Sequence, residues 1–399
     1  EDHPYHDTGP FPLSFFFSAI EETEAVDART VRFTLSAPYA PFLSNLAYPT
    51  GLIVSPAAVR EHGAEFGRNP SGTGPFRFVE WRSNEAVVIE RAEGHWDGDA
   101  ELEAVVFRPI TDANTRTAEM LAGGIDLMVE VPPNALSEFE GAGYTIHEQA
   151  GPHLWFLILN TREGPFADKR VRQAANYAVN KQAIVENVLE GTAEVAAGPT
   201  PPAFAWAHNE ALEPYPYDPE RARELIAEAG AEGAELTFYV TEGGSGMLDP
   251  VPMGTAIQAD LEAVGFDVTI ETYEWNTFLG EVNPGLEGKA DMAEMAWMTN
   301  DPDTLPFLAL RTAAMPDQGG FNSGYYSNPE VDALLEQARV ATDQAERARL
   351  YKEMQEIVQD DAPWVFVANW KQNAVTSDAV AGFALQPSFF LLLKDVAKN

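Results

Sequence analysis

Cysteine is absent from this 399-residue chain, so it has no disulfide, thiolate nucleophile or Cys-based metal site. Lysine is scarce, with seven against eighteen arginines, and the 25 basic residues face 62 acidic ones for a net charge of −37. Such a surface repels phosphate backbones, which argues against nucleic acid as a partner, and an anionic membrane face suits it no better. No apolar run reaches the ~18 residues that a bilayer-spanning helix needs. No signal peptide opens the chain, and the polar start at Glu1 to Thr8, without an initiating Met, reads as the middle of a longer protein. GxSxG, HExxH and Walker-type glycine loops are all missing.

The residues that mimic chemistry are few. Gly72-Thr-Gly74 lacks dinucleotide-binding spacing, and Gly243-Gly-Ser-Gly246 reads as a flexible loop. The seven His are scattered; His3 and His6 lie close together beside Asp2 and Asp7, but the segment reads as a frayed terminus. No metal or cofactor is assigned. Glu21-Glu22 and Asp360-Asp361 imitate a glycosidase pair, yet among 62 carboxylates chance pairs are guaranteed and these read as solvated surface. A secreted hydrolase using scattered carboxylates stands as the rival reading, and turnover of a peptide or glycoside would favour it.

What the chain does have is core material: 45% hydrophobic residues, 11% aromatic, and eight Trp. Single cores stop growing near ~250–300 residues, so two lobes are expected. Thr30 to Ser36 alternates as a strand, and strands follow the Ser71 to Pro75 turn at Phe76 to Trp81 and Ala86 to Arg91. Asp112 is placed to cap a helix, and Tyr144 to Glu148 reads as a strand. From Leu154 onward strands and helices alternate. Leu154 to Leu159 is apolar throughout, as a strand buried on both faces is. Helices are expected at Lys169 to Val179, at Lys181 to Leu189 after Asn180, and after Asp218-Pro219, where an N-cap precedes Pro at the first helical position. Strands are expected at Leu236 to Val240, Phe266 to Thr272, Asp291 to Met298 and Pro363 to Asn369. The helix begun by Asn328-Pro329 carries Val331, Leu334, Leu335 and Ala338 on one stripe. Alternation of this kind argues for α/β architecture. Ala150-Gly-Pro152 and the segment after Asn369 are the natural breaks.

Trp297-Met-Thr-Asn-Asp-Pro-Asp303 stands out, because an aromatic at a strand's end followed by a polar loop builds ligand walls in α/β proteins. A capping turn with Asp301 or Asp303 as N-cap is the plainer reading of the same residues.

At these residues the chain resembles the family 5 solute-binding proteins of ABC importers, which serve dipeptides, oligopeptides and nickel chelates. The supporting motifs run in order along the chain: Val31-Arg-Phe-Thr-Leu35, Ala40-Pro-Phe-Leu43, Gly72-Thr-Gly-Pro-Phe76, Phe166-Ala-Asp-Lys-Arg-Val-Arg-Gln-Ala174, Tyr177-Ala-Val-Asn-Lys181, Tyr217-Asp-Pro-Glu220 with Glu228-Ala-Gly230, Thr272-Tyr-Glu-Trp275, Trp297 to Asp303, and Asn328-Pro-Glu-Val-Asp332. The resemblance implies an α/β, two-lobed periplasmic-binding-protein fold of type II, with mixed sheets flanked by helices. Lobe II would take residues 151–370. Lobe I would take 1–150 plus 371–399 and would be incomplete at its N-terminus. It also implies a monomeric, non-catalytic receptor, periplasmic or extracellular, either free or lipid-anchored. Such a receptor closes its cleft on a peptide-like solute and hands it to ABC permease subunits. Trp297, Trp155, Tyr325 and Trp275 are the expected stacking walls, and Thr299, Asn300 and Asp301 the expected polar contacts.

Two departures bear on the solute. The dipeptide binders carry an aspartate three residues after this Trp, for the ligand ammonium; here Asn300 stands there, and Asp301 takes the role only by sliding. They also carry an arginine for the ligand carboxylate on the helix before Ile257 to Asp260, whereas Pro250-Val-Pro-Met-Gly254 has no basic residue. A buried carboxylate without a partner is costly. A longer peptide, a modified amino acid, or a neutral or cationic solute fits better than a free dipeptide.

A carboxylate-rich, lysine-poor surface stays hydrated at high ionic strength, which reads as adaptation to salt. The melting temperature should therefore rise as NaCl is added; a flat salt titration removes this reading.

Overall fold

Unbroken hydrophobicity at Leu154 to Leu159 produces what it predicts, a strand buried at every position from His153 to Leu159. The computed structural model describes residues 14–399 apart from 245, 248 and 389. His3 and His6 lie outside the described residues. The chain forms two compact units: one takes the start of the chain to Ser18 with Phe42–Gln149 and Asn373–Asn399, the other Ala19–Pro41 with Ala150–Gln372.

In the second unit β1 (Ile20–Asp27) and β2 (Thr30–Leu35) form an antiparallel hairpin. A division at residue 150 would place this hairpin elsewhere. It groups with the second unit because the Ala40 amide donates to the Arg339 carbonyl at 2.8 Å and the Arg339 guanidinium lies over the Tyr39 ring. Its alternation produces a strand but no buried face, since Val31 and Phe33 are 57% and 37% exposed.

The first unit holds β3 (Phe76–Arg82), β4 (Ala86–Arg91) and β5 (Ala104–Phe107) as an antiparallel sheet. There β6 (Leu127–Val129) pairs with Ala374–Thr376 over a small core of Met120, Met128, Val131, Phe139 and Val375. Asp112 caps the helix Ala113–Leu121 by accepting from the Thr115 amide.

Then β7 (Thr145–Ala150) leads to β8 (His153–Leu159), followed by β9 (Ala193–Val195), β10 (Glu235–Thr241), β11 (Asp267–Tyr273), β12 (Met292–Met298) and β13 (Trp364–Thr376). The second unit's sheet has the order β11-β10-β12-β8-β13, with β9 on β13. β10 runs parallel to β11 and β12, whereas β8 is antiparallel to both β12 and β13. Strand alternation splits β8 between two cores. Trp155, Leu157 and Leu159 face the helices Lys169–Ala178, Pro219–Ala229 and Pro250–Ala263; Leu154, Phe156 and Ile158 face Trp275–Val282, Pro329–Val340 and Gln344–Asp361.

Local signals set the helix starts. Asp168, Asp218, Asn328 and Asp343 each accept an amide two or three residues on, and Gly230 ends the helix Pro219–Ala229 at φ +69°. The helix after Asn180 departs from expectation. It runs Lys181–Ala183 and then widens into a π-helical turn, Ile184–Val188. The pair Asp360-Asp361 also departs. Asp360 is exposed, but Asp361 is largely covered and accepts from Tyr326 Oη at 2.6 Å, Asn328 Nδ2 at 2.7 Å and Lys169 Nζ at 3.2 Å, tying three segments together.

One buried ion pair anchors the loop after β12. Asp301 Oδ1 lies 2.8 Å from Arg347 Nη2, with the two residues 4% and 8% exposed. The same nitrogen donates to Tyr351 Oη at 3.1 Å, and the guanidinium faces the Trp206 ring at 5.0 Å. Beside it, Asp303 is buried with Arg339 Nε 3.7 Å from its Oδ2. Burial pushes the Asp303 carboxyl up to about 6, with Arg339 pulling the other way. Removing one partner of a buried pair strands the other charge, at a cost of about 3–5 kcal/mol. Asp301→Ala should therefore lower the second unit's urea midpoint strongly without any ligand present, and an unchanged midpoint contradicts this account of the pair.

Candidate functional site

Loops that leave the carboxyl ends of parallel strands converge at one edge, where α/β sheets take their ligands. In the second unit β10, β11 and β12 end at Thr241, Tyr273 and Met298. Because β8 is antiparallel and Met298 pairs with His153, the start of β8 joins that same edge. The segment 242–249, the helix start at Trp275 and the loop 299–303 leave from it.

Trp297 is half-buried near the end of β12, opposite Leu154, with its ring edge-on to Phe321 at 5.4 Å. Thr299 is buried, and its amide donates to the Pro152 carbonyl at 3.1 Å. Asn300 is half-buried, and its Oδ1 accepts from Thr304 Oγ1 at 2.9 Å. Asp301 belongs to the ion pair with Arg347, and its Oδ1 also accepts from the Asp303 amide at 3.0 Å. The loop therefore includes a capping turn, but Asp303, at the N-cap position of the helix Thr304–Ala309, makes no side-chain cap.

Trp275 opens the helix Trp275–Val282, which Glu274 caps through the amides of Asn276 and Thr277. Its indole stacks on Phe278, with rings 5.9 Å apart and 13° from parallel. Gly244 lies flat against that indole: a Cβ there would sit 2.3 Å from Cε3. Gly246, at φ +78°, accepts from the Trp155 indole N–H, and a Cβ there would come within 2.9 Å of His153 Nε2. These glycines serve close approach, pressed between two tryptophans, more than flexibility.

Of the seven expected contacts, Trp297, Trp275, Thr299, Asn300 and Asp301 come to this edge. Trp155 stands directly behind it. Trp155 pairs with Ala296 on the opposite face from Trp297, is wholly buried, and donates its N–H inward to Gly246. Tyr325 is at the far end of β8. Its neighbour Gly324 accepts from the Thr161 amide, and its ring, at a backbone φ of +60°, carries the Arg162 guanidinium at 3.7 Å.

Two residues at the edge were missed. His153 is buried edge-on to Trp370 at 4.8 Å, and burial lowers its pKa to about 3, so it is uncharged. Glu294 is buried within β12, and burial holds its carboxyl well above the usual range, against the Thr241 N–H bond. The signal for Glu294 was present, since it is the one charged residue in Met292–Met298. Among the described residues no group of three or more His, Asp or Glu is placed to hold a metal. Nor is any helix among them long and apolar enough to cross a membrane. The edge offers aromatic faces, hydrogen-bonding groups and, in Glu294, a buried carboxyl that no basic side chain pairs.

Comparisons with known proteins identify the family. Residues 4–316 match the family model for the middle part of bacterial extracellular solute-binding proteins, family 5. The glutathione-binding protein GsiB of Pectobacterium atrosepticum is 33% identical over 95% of this chain and 74% of its own length. The heme-binding protein A of Haemophilus influenzae is 33% identical over 97% of this chain and 72% of its own. The periplasmic binding protein DppA of Helicobacter pylori, associated with an ABC transporter and solved with the peptide STSA, superposes with a TM-score of 0.85 at 31% identity, covering 99% of this chain and 78% of its own. The chain belongs to the bacterial extracellular solute-binding proteins of family 5, substrate-binding components of ABC importers rather than hydrolases.

Proposed function

We propose that this chain binds a small peptide-like solute at the carboxyl-end edge of its second unit and passes it, chemically unchanged, to ABC permease subunits. The two units are the lobes of the receptor. It works as a monomer, in the periplasm or at the outer face of the cytoplasmic membrane, with no nucleic-acid partner and no cofactor. The observation that carries the reading is the half-buried Trp297 beside the Thr299–Asp301 loop, next to a second aromatic face at Trp275. Aromatic faces with a few fixed polar groups are how small-molecule sites combine affinity with orientation.

The residues take different parts in this reading. Trp297 and Trp275 stack on the solute. Asn300 and Thr299 supply hydrogen bonds. Asp301 holds the loop in place, because Arg347 already neutralises it. Trp155 backs the glycine segment from inside the core, and Tyr325 stands away from the solute. The peptide-like class follows from two relatives whose names carry glutathione and the peptide STSA.

Native mass spectrometry of the purified protein should detect a retained small solute, recovered unaltered. Trp297→Ala should weaken binding of that solute, or of a peptide that replaces it, by roughly tenfold or more, as truncation of a central aromatic does. Its melting temperature should stay close to that of the parent protein. Unchanged affinity by calorimetry removes Trp297 from the site, and conversion of the solute to product overturns the receptor reading.

A further inference from the structure

The residue of β12 that the proposed function leaves unused is Glu294. It pairs with Leu157 across the β8–β12 register, so its side chain lies on the same face as Trp155 and Ala296, toward the helix Pro250–Ala263. The backbone register between β10 and β12 covers Phe238 with Met292 and Tyr239 with Ala293, although β10 continues to Thr241. The Thr241 amide donates instead to Glu294 Oε1 at 3.1 Å. A side-chain carboxyl thus stands in for a ladder bond where the two strands part, at the edge that carries Trp297 and Trp275.

Its other oxygen, Oε2, is buried and has no hydrogen-bond partner among the described residues. Native structures pair nearly all such atoms, and an orphan calls for an explanation. No basic side chain acts on the carboxyl; only burial and the Thr241 amide do. The titratable groups on the elements around it are His153 on β8, uncharged through burial, and Asp249 and Asp260 at the start and middle of the helix Pro250–Ala263. Asp249 is itself raised by burial and by Glu190, so none of these groups supplies a cation.

We propose that Glu294 is a specificity-determining residue of this edge, its Oε2 accepting from an ammonium or guanidinium group of the solute that enters where β10 and β12 part. This rests on the receptor reading and names the class of solute. The described residues after Thr241 are held by the Glu242 amide on the Tyr273 carbonyl, by the Trp155–Gly246 bond, by packing on Trp275 and by burial of Met247. A cation in contact opposes the burial that raises this carboxyl's pKa, so binding favours loss of its proton to solvent. An Arg or Lys at this position would reverse the preference toward carboxylates.

The test is titration calorimetry at pH 7 in two buffers of different protonation enthalpy. The probes are the tetrapeptide Ser-Thr-Ser-Ala, its N-acetylated form and L-arginine amide, applied to the parent protein and to Glu294→Gln. The amide variant keeps an oxygen for the Thr241 N–H, and its fold is checked by circular dichroism. We expect an amine-bearing probe to bind the parent with net proton release. Acetylation, and separately Glu294→Gln, should each weaken that binding at least roughly tenfold, and the variant should release no proton. Unchanged affinity in Glu294→Gln, or in the acetylated peptide, overturns the role of Glu294 and leaves the receptor reading standing. Failure of the folded parent to bind either amine-bearing probe overturns the cationic solute class, whereas the receptor reading falls only if a retained solute is converted to product.

Discussion

Antiparallel pairing of β8 with β12 is the constraint on which the site depends. Seven consecutive pairs, from Met292 with Leu159 to Met298 with His153, insert a reversed strand between β12 and β13, which run the same way. The reversal brings the start of β8 to the edge where β10, β11 and β12 end. From there His153 packs on Trp370, Trp155 reaches Gly246, and the Pro152 carbonyl receives the Thr299 amide. A parallel β8 would send all three to the far end, and the segments 242–249 and 299–303 would lose their internal anchors. Burial on both faces makes the register costly to slip, because a shift by one residue would exchange the two cores.

The charges divide by burial. Pairs such as Arg349 with Glu346 and Glu353 lie on an exposed helix face, where solvent screening leaves them little effect on stability. The pair Asp301–Arg347 is different in kind, because neither partner has water as an alternative. Its effect is positional: together with the Thr299 amide and the Asp303–Arg339 pair, it fixes a loop that starts at a sheet edge. Asp361 plays the matching part elsewhere in the unit, gathering Tyr326, Asn328 and Lys169. In a chain of 62 acidic residues, the few that are buried and paired do the structural work, and the others keep the surface hydrated.

How much was legible in the sequence follows the range of the interaction. Asp112, Asp218 and Asn328 were readable as caps because a cap needs only an amide two or three residues away. Strand positions were readable from apolar runs, and the family motifs pointed to the fold. The site was less readable. Every residue of β8 is buried, so periodicity could not say that Trp155 and Trp297 face opposite sides; that parity comes from a register set between strands more than 130 residues apart. Tyr325 carries no local mark of which end of β8 it meets. Asp301 looked available as an anchor because its partner Arg347 lies 46 residues later, on another helix. Glu294 was visible as a lone charge in an apolar strand, a signal outweighed by the conspicuous tryptophan three residues on.

The surface charge and the buried carboxyl act over different distances. A net charge of −37 raises the local concentration of cations and speeds their encounter, but it does not tell one cation from another. Salt removes that advantage, since the screening length falls from ~10 Å at 0.1 M to ~3 Å at 1 M. Selection at high ionic strength rests on contacts that salt does not reach. Such contacts are short and desolvated, like an indole face or a carboxyl enclosed as Glu294 is beside Thr241. The acidity of the whole chain and the enclosure of Glu294 are in this sense complementary. One keeps the protein in solution, and the other keeps its selectivity out of the solvent's reach.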